Sequence, residues 1–259
     1  MRLKKVFALS ALLLGIGVMG YARRLLAQTN KIYREGDSAY ADLIDTVKGR
    51  RAAGSAIRST AGERDDNAAV RVPEIGIDFD ALTAVTGDAA AWLYCPGTAI
   101  DYPVMRADDY AYYLYRLPDG TPNANGSLFI DYNCGPDFGD PLTVIYGHSM
   151  RSGSMFGSLK GYREQAYYDE HPYMYLYTER GNYRIDLLYG CVIDAGQWRE
   201  RAFMYAENAG ALIAYAANGT TFTSGAVYAE GDRIVAMSTC SYEFEDARYV
   251  VIGVLNEER

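Results

Sequence analysis

Apolar residues recur along the chain in short runs, and glycine, proline and acidic residues separate these runs. Some runs alternate with polar positions, as residues 173–177 do with a tyrosine at every second place, and this period is typical of half-buried strands. Others, such as residues 248–255 after their first arginine, are apolar almost throughout. The pattern predicts strands at residues 90–95, 102–106, 127–131, 142–148, 173–178, 183–194, 233–240 and 248–256.

Helical spacing is found in fewer places. Apolar residues at three-and-four spacing predict helices at residues 30–50, 79–85, 155–162 and 202–217. Residues 51–71 are rich in Ala, Gly, Arg and Asp without periodicity, which predicts a linker or a frayed continuation of the first helix. Many strands with little helix favour a closed mixed β-barrel, because closure leaves no exposed strand edge.

The N-terminus carries a separate signal. Residues 6–22 contain no charge, Arg2, Lys4 and Lys5 precede them, and Arg23 and Arg24 follow. A helix of this length spans roughly 25 Å, which is the short end for a bilayer crossing. We expect an uncleaved membrane anchor, and the alternative is a cleavable signal peptide with its small-residue site at residues 20–22.

Composition narrows the class of protein. At 259 residues and 49% hydrophobic, the chain is long enough for one main domain, and a net charge of −8 argues against a nucleic-acid binder. The sequence has neither a phosphate-binding loop nor an H-E-x-x-H pair, and its four cysteines include no C-x-x-C pair. We therefore expect no metal and no cofactor; a Cys95–Cys134 disulfide remains an alternative, and Cys191 is assigned to the core.

Candidate chemistry lies near the C-terminus. The strand at residues 233–240 ends in Cys240, and the next strand opens with Arg248, so an antiparallel hairpin would set the two nearly opposite. A fixed cation beside a cysteine stabilises a reachable thiolate. Of two histidines, His148 follows a strand, where sites are commonly built, and His171 is interpreted as a solvated loop residue. The alternative is that Cys240 is a small buried hydrophobe and Arg248 a solvated charge.

These residues also carry a family resemblance. Residues 236–240 (AMSTC) followed by Arg248 resemble the signature of the sortases, cysteine transpeptidases of Gram-positive cell surfaces. Blocks similar to the class B branch lie at Trp92 and at residues 96–104, 126–132, 144–150 (VIYGHSM), 153–159 (GSMFGSL) and 170–177. The blocks follow the expected order across residues 75–256, although Ala236 and Met237 stand where such sortases usually have Thr and Leu.

The resemblance implies a fold and a domain organisation. It implies a mainly β fold with added helices: a closed eight-stranded sortase-type barrel, an N-terminal helix and a helix before the cysteine strand. The corresponding division is a cytoplasmic tail and anchor at residues 1–29, a helical or linker segment at 30–71 and the catalytic domain at 72–259. The catalytic domain would lie outside the cell, on a single-pass anchor in the cell membrane.

The resemblance also implies an activity of the thiol-protease type. Cys240 would attack the carbonyl of a threonine in a C-terminal sorting motif, His148 would exchange protons with the amines, and Arg248 would hold the oxyanion. Ser238, Thr239 and Leu114 would bind the substrate. The expected partners are secreted proteins that carry the motif, an amine of a peptidoglycan precursor, and the membrane, with no nucleic acid.

Three other functions stay open at the level of sequence. The first is a class B sortase that polymerises pilins and uses a pilin lysine as the amine. The second is a cysteine hydrolase that releases peptides to water. The third is an inactive, surface-anchored binding module that keeps the barrel. The acidic loop of Glu243, Glu245 and Asp246 is assigned to solvent, although it could receive a cationic amine.

Overall fold

The computed structural model describes residues 2–48, 71–241 and 245–258, and it describes side chains of the first helix from Leu14 onward. The strands are β1 (Ala89–Tyr94), β2 (Asp101–Met105), β3 (Leu128–Ile130), β4 (Leu142–Tyr146), β5 (Tyr173–Thr178), β6 (Gly181–Asp194), β7 (Ile234–Cys240) and β8 (Ala247–Glu257). The α-helices are α1 (Arg2–Lys48), α2 (Phe79–Val85), α3 (Gln165–Glu170), α4 (Ala195–Glu200) and α5 (Ala209–Asn218). Short 3₁₀ helices cover Tyr113–Tyr115, Phe156–Arg163 and Ala206–Asn208.

The strands form a closed barrel in the order β1–β2–β3–β4–β7–β8–β6–β5, and β5 pairs back onto β1. This confirms the predicted eight-stranded barrel, and every predicted strand has its counterpart at nearly the same position. Closure gives each strand a partner on both sides, so the barrel avoids the unpaired edges of an open sheet.

Two strand pairs in the barrel are parallel, and one of them positions the site. β4 and β7 run parallel, with Leu142 opposite Ile234 and Tyr146 opposite Ser238. Parallel strands end at the same rim of a sheet, so the residues that follow β4 and the last residue of β7 lie near one another. His148 and Cys240 are brought to one rim in this way.

The strands at this rim are buried on both faces. Val235 and Met237 of β7 point into the core cluster inside the barrel, whereas Ile234 and Ala236 point outward and pack with Leu212 of α5. Strands buried on both sides are apolar almost throughout, which is why β7 and β8 have nearly continuous hydrophobic sequences. The rigid packing fixes the end of β7, where Cys240 lies.

The C-terminal turns of α1 belong to the same core. Tyr40 and Val47 are 5% and 1% exposed, and the Tyr40 hydroxyl donates to the carbonyl oxygen of Gly126 at 2.7 Å. At the end of the helix, Lys48 forms an ion pair with Asp101 of β2. These contacts bind the helix to the barrel next to the loop that precedes β3.

The predicted helices are confirmed in part. Residues 79–85 form α2, as expected, with the Asp78 side chain accepting from the Ala81 amide at 2.9 Å. The helix predicted at 30–50 is the last part of the 47-residue α1, which ends at Lys48. The short helix predicted at 155–162 is a 3₁₀ helix over Phe156–Arg163.

The helix predicted at residues 202–217 is wrong in its first part. α5 begins at Ala209, because Ala202 adopts a left-handed φ of 51° and turns the chain so that Phe203 enters the core at 1% exposure. The predicted helix before the cysteine strand is therefore present but shorter, and α3 and α4 were not predicted.

Two of the N-terminal predictions, the linker and part of the anchor, concern residues or side chains outside the described ones. Apart from Arg71, the predicted linker at 51–71 lies outside the described residues, as do the side chains of residues 6–13 in the predicted anchor. Among the helices of residues 2–48, 71–241 and 245–258, none is both long enough and apolar enough to cross a bilayer.

Candidate active site

Cys240 and Arg248 face each other across the β7–β8 hairpin. The register pairs Thr239 with Tyr249 and Cys240 with Arg248, as the sequence predicts. Cys240 is the exposed last residue of β7, and Arg248 is half-buried near the start of β8. The interpretation of Cys240 as a small buried hydrophobe is therefore wrong, since its thiol is open to solvent.

His148 is held by the backbone of another loop. Its Nε2 lies 2.7 Å from the carbonyl oxygen of Leu114, in the 3₁₀ helix Tyr113–Tyr115. A carbonyl only accepts, so Nε2 carries the hydrogen of this bond. The other ring nitrogen, Nδ1, is then the atom left for proton transfer with a substrate.

All six predicted site residues line one groove of about 310 Å³. They are Leu114, His148, Ser238, Thr239, Cys240 and Arg248. The groove runs along the barrel rim and is open to solvent at Cys240, which is exposed. A short extended peptide could lie in it with one carbonyl next to the thiol.

The wall of the groove is aromatic, and its polar anchor is a buried carboxylate. Tyr110, Tyr146 and Trp198 line the groove. Asp131 is 0% exposed and accepts from the hydroxyls of Tyr110 at 3.0 Å and Tyr146 at 2.8 Å. The Tyr146 hydroxyl in turn accepts from Trp198 Nε1 at 3.2 Å. This chain of bonds fixes the orientation of three rings that a bound peptide would touch.

This aromatic wall was not predicted from the sequence. One available signal was Tyr146, which lies two positions before His148 and therefore projects in the same direction near the strand end. Asp131 gave no comparable signal, because an aspartate after a short strand most often marks a turn.

The two residues before Cys240 play different parts. Ser238 lies on the face of β7 that carries Cys240, is 2% exposed and lines the groove. Thr239 points to the opposite face, and its hydroxyl donates to the carbonyl oxygen of Gly147 at 2.7 Å. Thr239 thus ties the end of β7 to the segment that carries His148, and its hydroxyl is already engaged within the protein.

The Arg248 guanidinium is anchored at one nitrogen. Its Nη1 donates to the carbonyl oxygens of Asp246 at 3.2 Å and Ala247 at 3.1 Å, both in its own turn. Asp246 adopts a left-handed φ of 60° there, which aspartate tolerates better than most residues. Glu245 and Asp246 are exposed, and Glu243 lies outside the described residues.

The other cysteines differ from Cys240 in environment. All four are free thiols, so the alternative of a Cys95–Cys134 disulfide is wrong. Burial raises the pKa of the Cys95 thiol, that of Cys134 to about 11 and that of Cys191 to about 12. These three thiols are protonated at neutral pH, and a protonated thiol is a poor nucleophile.

His171 lies away from the groove. Its side chain is 13% exposed and its ring centroid is 4.6 Å from that of Tyr167, so its interpretation as a solvated residue is wrong. Within the described part of the chain, no group of three His, Cys, Asp or Glu side chains is arranged to hold a metal ion. The reactive groups that line the groove are the Cys240 thiol, the His148 imidazole and the guanidinium groups of Arg199 and Arg248.

Comparison with known proteins agrees with this geometry. No family model matches the chain. The sortase B of Listeria monocytogenes is 30% identical over 186 residues, which cover 70% of this chain and 75% of that protein. Among solved structures, a Streptococcus pyogenes class B sortase involved in pilus biogenesis is 27% identical, with a TM-score of 0.63 over 70% of this chain and 99% of that one. Clostridium perfringens sortase B has the same fold, with a TM-score of 0.64 at 24% identity over 69% of this chain and 99% of that one. The barrel, the groove at its rim and the 30% identity to the Listeria protein together establish that this chain belongs to the class B sortases.

Proposed function

We propose that the protein is a cysteine transpeptidase that cleaves a C-terminal sorting motif and transfers the protein to an amine of a cell-wall precursor. One observation carries the proposal. An exposed thiol at the end of β7 lies opposite Arg248 and shares its groove with His148. A nucleophile, a proton carrier and a cationic hydrogen-bond donor are the groups that acyl transfer requires.

The first half-reaction forms a thioester. The thiol proton of Cys240 passes to His148 Nδ1, the thiolate Sγ attacks the threonine carbonyl carbon, and the electron pair of the C=O bond moves to oxygen. Arg248 keeps a permanent charge and several N–H donors for that oxyanion, although one nitrogen is anchored to its own turn. The C–N bond then breaks, and the leaving amine takes a proton from His148.

The second half-reaction regenerates the enzyme. The incoming amine attacks the thioester carbonyl and loses a proton to His148, and the C–S bond breaks to release Cys240 as thiolate. The bond between His148 Nε2 and Leu114 supports this cycle, because it leaves Nδ1 to accept and return the proton. Metal is not required at any step of this chemistry.

The groove favours an extended peptide as substrate. Its aromatic wall can cover the apolar parts of a short motif, and Ser238 offers a hydroxyl close to Cys240. We propose secreted proteins with a C-terminal motif as substrates, and the outer cell surface as the place of action. Thr239 would act on the site through the backbone of Gly147, and not through its own contact with the peptide.

A pilin-polymerising activity is the second candidate. The observation in its favour is the similarity to a Streptococcus pyogenes class B sortase that is involved in pilus biogenesis. In that case the acceptor would be a lysine amine of another protein, and the first half-reaction would be unchanged.

The test compares the full-length protein with its Cys240→Ala variant. Each is incubated with a library of threonine-containing peptides and with either triglycine or a lysine-containing peptide, and products are followed by mass spectrometry. Transfer of the acyl half to triglycine in the wild type alone would support the proposal, and transfer to lysine alone would favour the pilin alternative. Release to water in spite of either amine would favour a hydrolase. If the wild type and Cys240→Ala form the same products at the same rate, Cys240 is not the nucleophile.

A further inference from the structure

One wall of the peptide groove is a single face of α4. Ala195, Trp198 and Arg199 line the groove, and positions i, i+3 and i+4 project to the same side of a helix. The start of the helix is fixed to the turn before β8, because the Ala195 amide donates to the carbonyl oxygen of Asp246 at 3.1 Å. The side chain of Arg199 therefore starts from a fixed place in the groove wall.

The Arg199 guanidinium is left open to a ligand. The side chain is exposed, and its Nε donates to the Ala195 carbonyl oxygen at 3.3 Å, one turn earlier. Its two terminal nitrogens have no hydrogen bond and no carboxylate partner among residues 2–48, 71–241 and 245–258. Arg201, two residues later, differs, since its guanidinium carbon lies 5.4 Å from the Tyr215 ring centroid and outside the described groove lining.

The charge of the groove is opposite to that of the whole chain. The chain has a net charge of −8, yet the described lining of the groove holds two guanidinium groups, those of Arg199 and Arg248, and no Asp or Glu. The carboxylates of Asp131 and Asp246 belong to adjacent segments, but neither is part of that lining. Arg248 lies opposite Cys240 and is anchored to its own turn. A groove with this charge attracts an acidic peptide and repels a basic one.

A carboxylate is the ligand that suits Arg199 best. A guanidinium is planar, stays charged and forms paired N–H···O bonds with a carboxylate. Trp198 and Tyr146 share this wall, Trp198 is 5% exposed, and apolar surroundings strengthen a charged hydrogen bond relative to water. A neutral amide of the peptide gains nothing from the charge, so the wall distinguishes glutamate from glutamine.

We propose that Arg199 is a specificity-determining residue, which selects a sorting motif with a glutamate or aspartate near the cleaved threonine. This inference rests on the proposed transpeptidase function and specifies its first substrate. The peptide carboxylate binds the terminal nitrogens of Arg199 while Cys240 attacks the threonine carbonyl. Arg199 takes no part in bond formation or proton transfer, so its contribution is to the recognition of acidic peptides alone.

The experiment uses the full-length protein and pools of six-residue peptides, with triglycine as the acceptor. Threonine is fixed at the fourth position, one other position is fixed as Glu, Gln or Lys, and the remaining positions are mixed. The readout at each position is the ratio of Cys240-dependent transfer from the Glu pool to that from the Gln pool, in which a general loss of activity cancels. The test variants are Arg199→Gln and Arg199→Glu. The control is Arg201→Gln, which removes the same charge near the same end of α4 but outside the groove.

We expect the wild type and Arg201→Gln to favour the Glu pool about tenfold at one position, since a hydrogen bond to a charged group is commonly worth about that factor. In Arg199→Gln the ratio at that position should fall to near one. Arg199→Glu should instead favour the Lys pool over the Gln pool there. Such a reversal identifies a direct charge contact, because a loss of packing lowers transfer from all pools alike.

Three results would overturn the inference. The first is a ratio near one at every position in the wild type. The second is an unchanged ratio in Arg199→Gln, even with lower transfer from all pools, which would mean that Arg199 contacts the peptide backbone. The third is an equal loss of the ratio in Arg201→Gln, which would assign the preference to the overall charge of this end of the barrel.

The two proposals fail in different ways. If the wild type transfers peptide to triglycine but shows no preference for acidic pools, the transpeptidase function stands and the role of Arg199 is wrong. If no pool gives Cys240-dependent transfer in the wild type, the proposed function fails, and the inference fails with it.

Discussion

His148 Nε2 donates to the carbonyl oxygen of Leu114 at 2.7 Å, so a backbone atom orients the imidazole. The position of that carbonyl depends on Gly126, which has a φ of 60° and lies directly against it. A Cβ atom at position 126 would lie 2.5 Å from the Leu114 oxygen. Gly126 is therefore a positioning residue for His148, through the carbonyl of Leu114.

Gly126→Ala should displace the Leu114 carbonyl and disorient the imidazole. We expect kcat for peptide cleavage to fall about 10- to 100-fold, as misplacement of a catalytic group by an ångström commonly does, with a changed pH profile of kcat/KM. Gly76→Ala is the control, because Gly76 has a φ of 63° and nothing within 4 Å of its added Cβ. Equal losses in the two variants would show that backbone strain, and not the Leu114 carbonyl, causes the effect.

Asp131→Ala should weaken peptide binding by removing the acceptor of two groove tyrosines. The hydroxyls of Tyr110 and Tyr146 would lose the acceptor of their hydrogens, which costs roughly 1–3 kcal/mol of stability at the less exposed Tyr146. We expect KM for the peptide to rise more than kcat falls, and Asp131→Asn to recover part of the loss because it keeps one oxygen.

The matched control for Asp131 is Asp140→Ala. Asp140 lies in the same loop region and accepts from the Gly135 amide at 2.6 Å, without contact to a groove tyrosine in the described hydrogen bonds. Urea unfolding of all variants measures the loss of stability, and steady-state kinetics measure the change in KM for the peptide. A rise in KM for Asp140→Ala as large as that for Asp131→Ala would contradict the positioning role of Asp131.

The sequence predicted the framework well because the signals for it are local. β7 and β8 are nearly continuous apolar runs with a short connection, so both strands and the pairing of Cys240 with Arg248 followed from period and spacing. The helix predicted from residue 202 shows the limit. Helical spacing continues through Phe203, but the core takes up that ring only if Ala202 turns the chain.

The sequence predicted the groups that the candidate site brings together, but not the contacts that orient them. Cys240, His148 and Arg248 stand out by residue type and place in a strand pattern. The partner of His148 is the backbone carbonyl of Leu114. Every residue has such a carbonyl, so the sequence contains no signal that identifies Leu114 as this partner. The bonds from Asp131 to Tyr110 and Tyr146 join residues 21 and 15 positions apart, and only the folded barrel brings them together.

Alkylation should separate Cys240 from the other thiols. Burial raises the pKa of Cys134 to about 11 and that of Cys191 to about 12, so both are protonated at pH 7.5, whereas Cys240 is exposed beside Arg248. Limiting iodoacetamide should add one label, and peptide mapping should place it on Cys240. The Cys240→Ala variant should stay unlabelled over the same time; labelling of Cys134 at an equal rate would contradict this account.

Alkaline pH should unfold the protein through its buried tyrosines. Burial raises the pKa of Tyr40, Tyr146, Tyr162 and Tyr177 above the ordinary value of 10.0. Because the folded-state pKa exceeds the unfolded one, the stabilisation is complete below pH 10 and is lost as the pH rises above it. We expect the free energy of unfolding in urea to be flat near pH 8–9 and to fall above pH 10.

A pair of variants tests the tyrosine origin of that loss. Tyr40→Phe removes one titrating group, so the fall above pH 10 should be shallower, although the lost bond to Gly126 lowers stability at neutral pH. Tyr21→Phe, at a side chain 68% exposed, should leave the slope unchanged. Burial lowers the pKa of Lys48, and a lowered lysine pKa makes the free energy of unfolding rise with pH. The effect of this one lysine is smaller than the opposite effect of several tyrosines. Equal slopes in Tyr40→Phe and the wild type would contradict the prediction.

A thioester between Cys240 and the substrate would add the acyl half of the peptide to the intact mass of the protein. The full-length chain would be mixed with a sorting peptide, quenched in acid within seconds, and compared with Cys240→Ala. We expect a mass increase equal to the acyl half of the peptide in the wild type alone, and we expect it to disappear when an amine acceptor is added before the quench. Peptide cleavage without any Cys240-dependent mass increase would contradict the formation of this thioester.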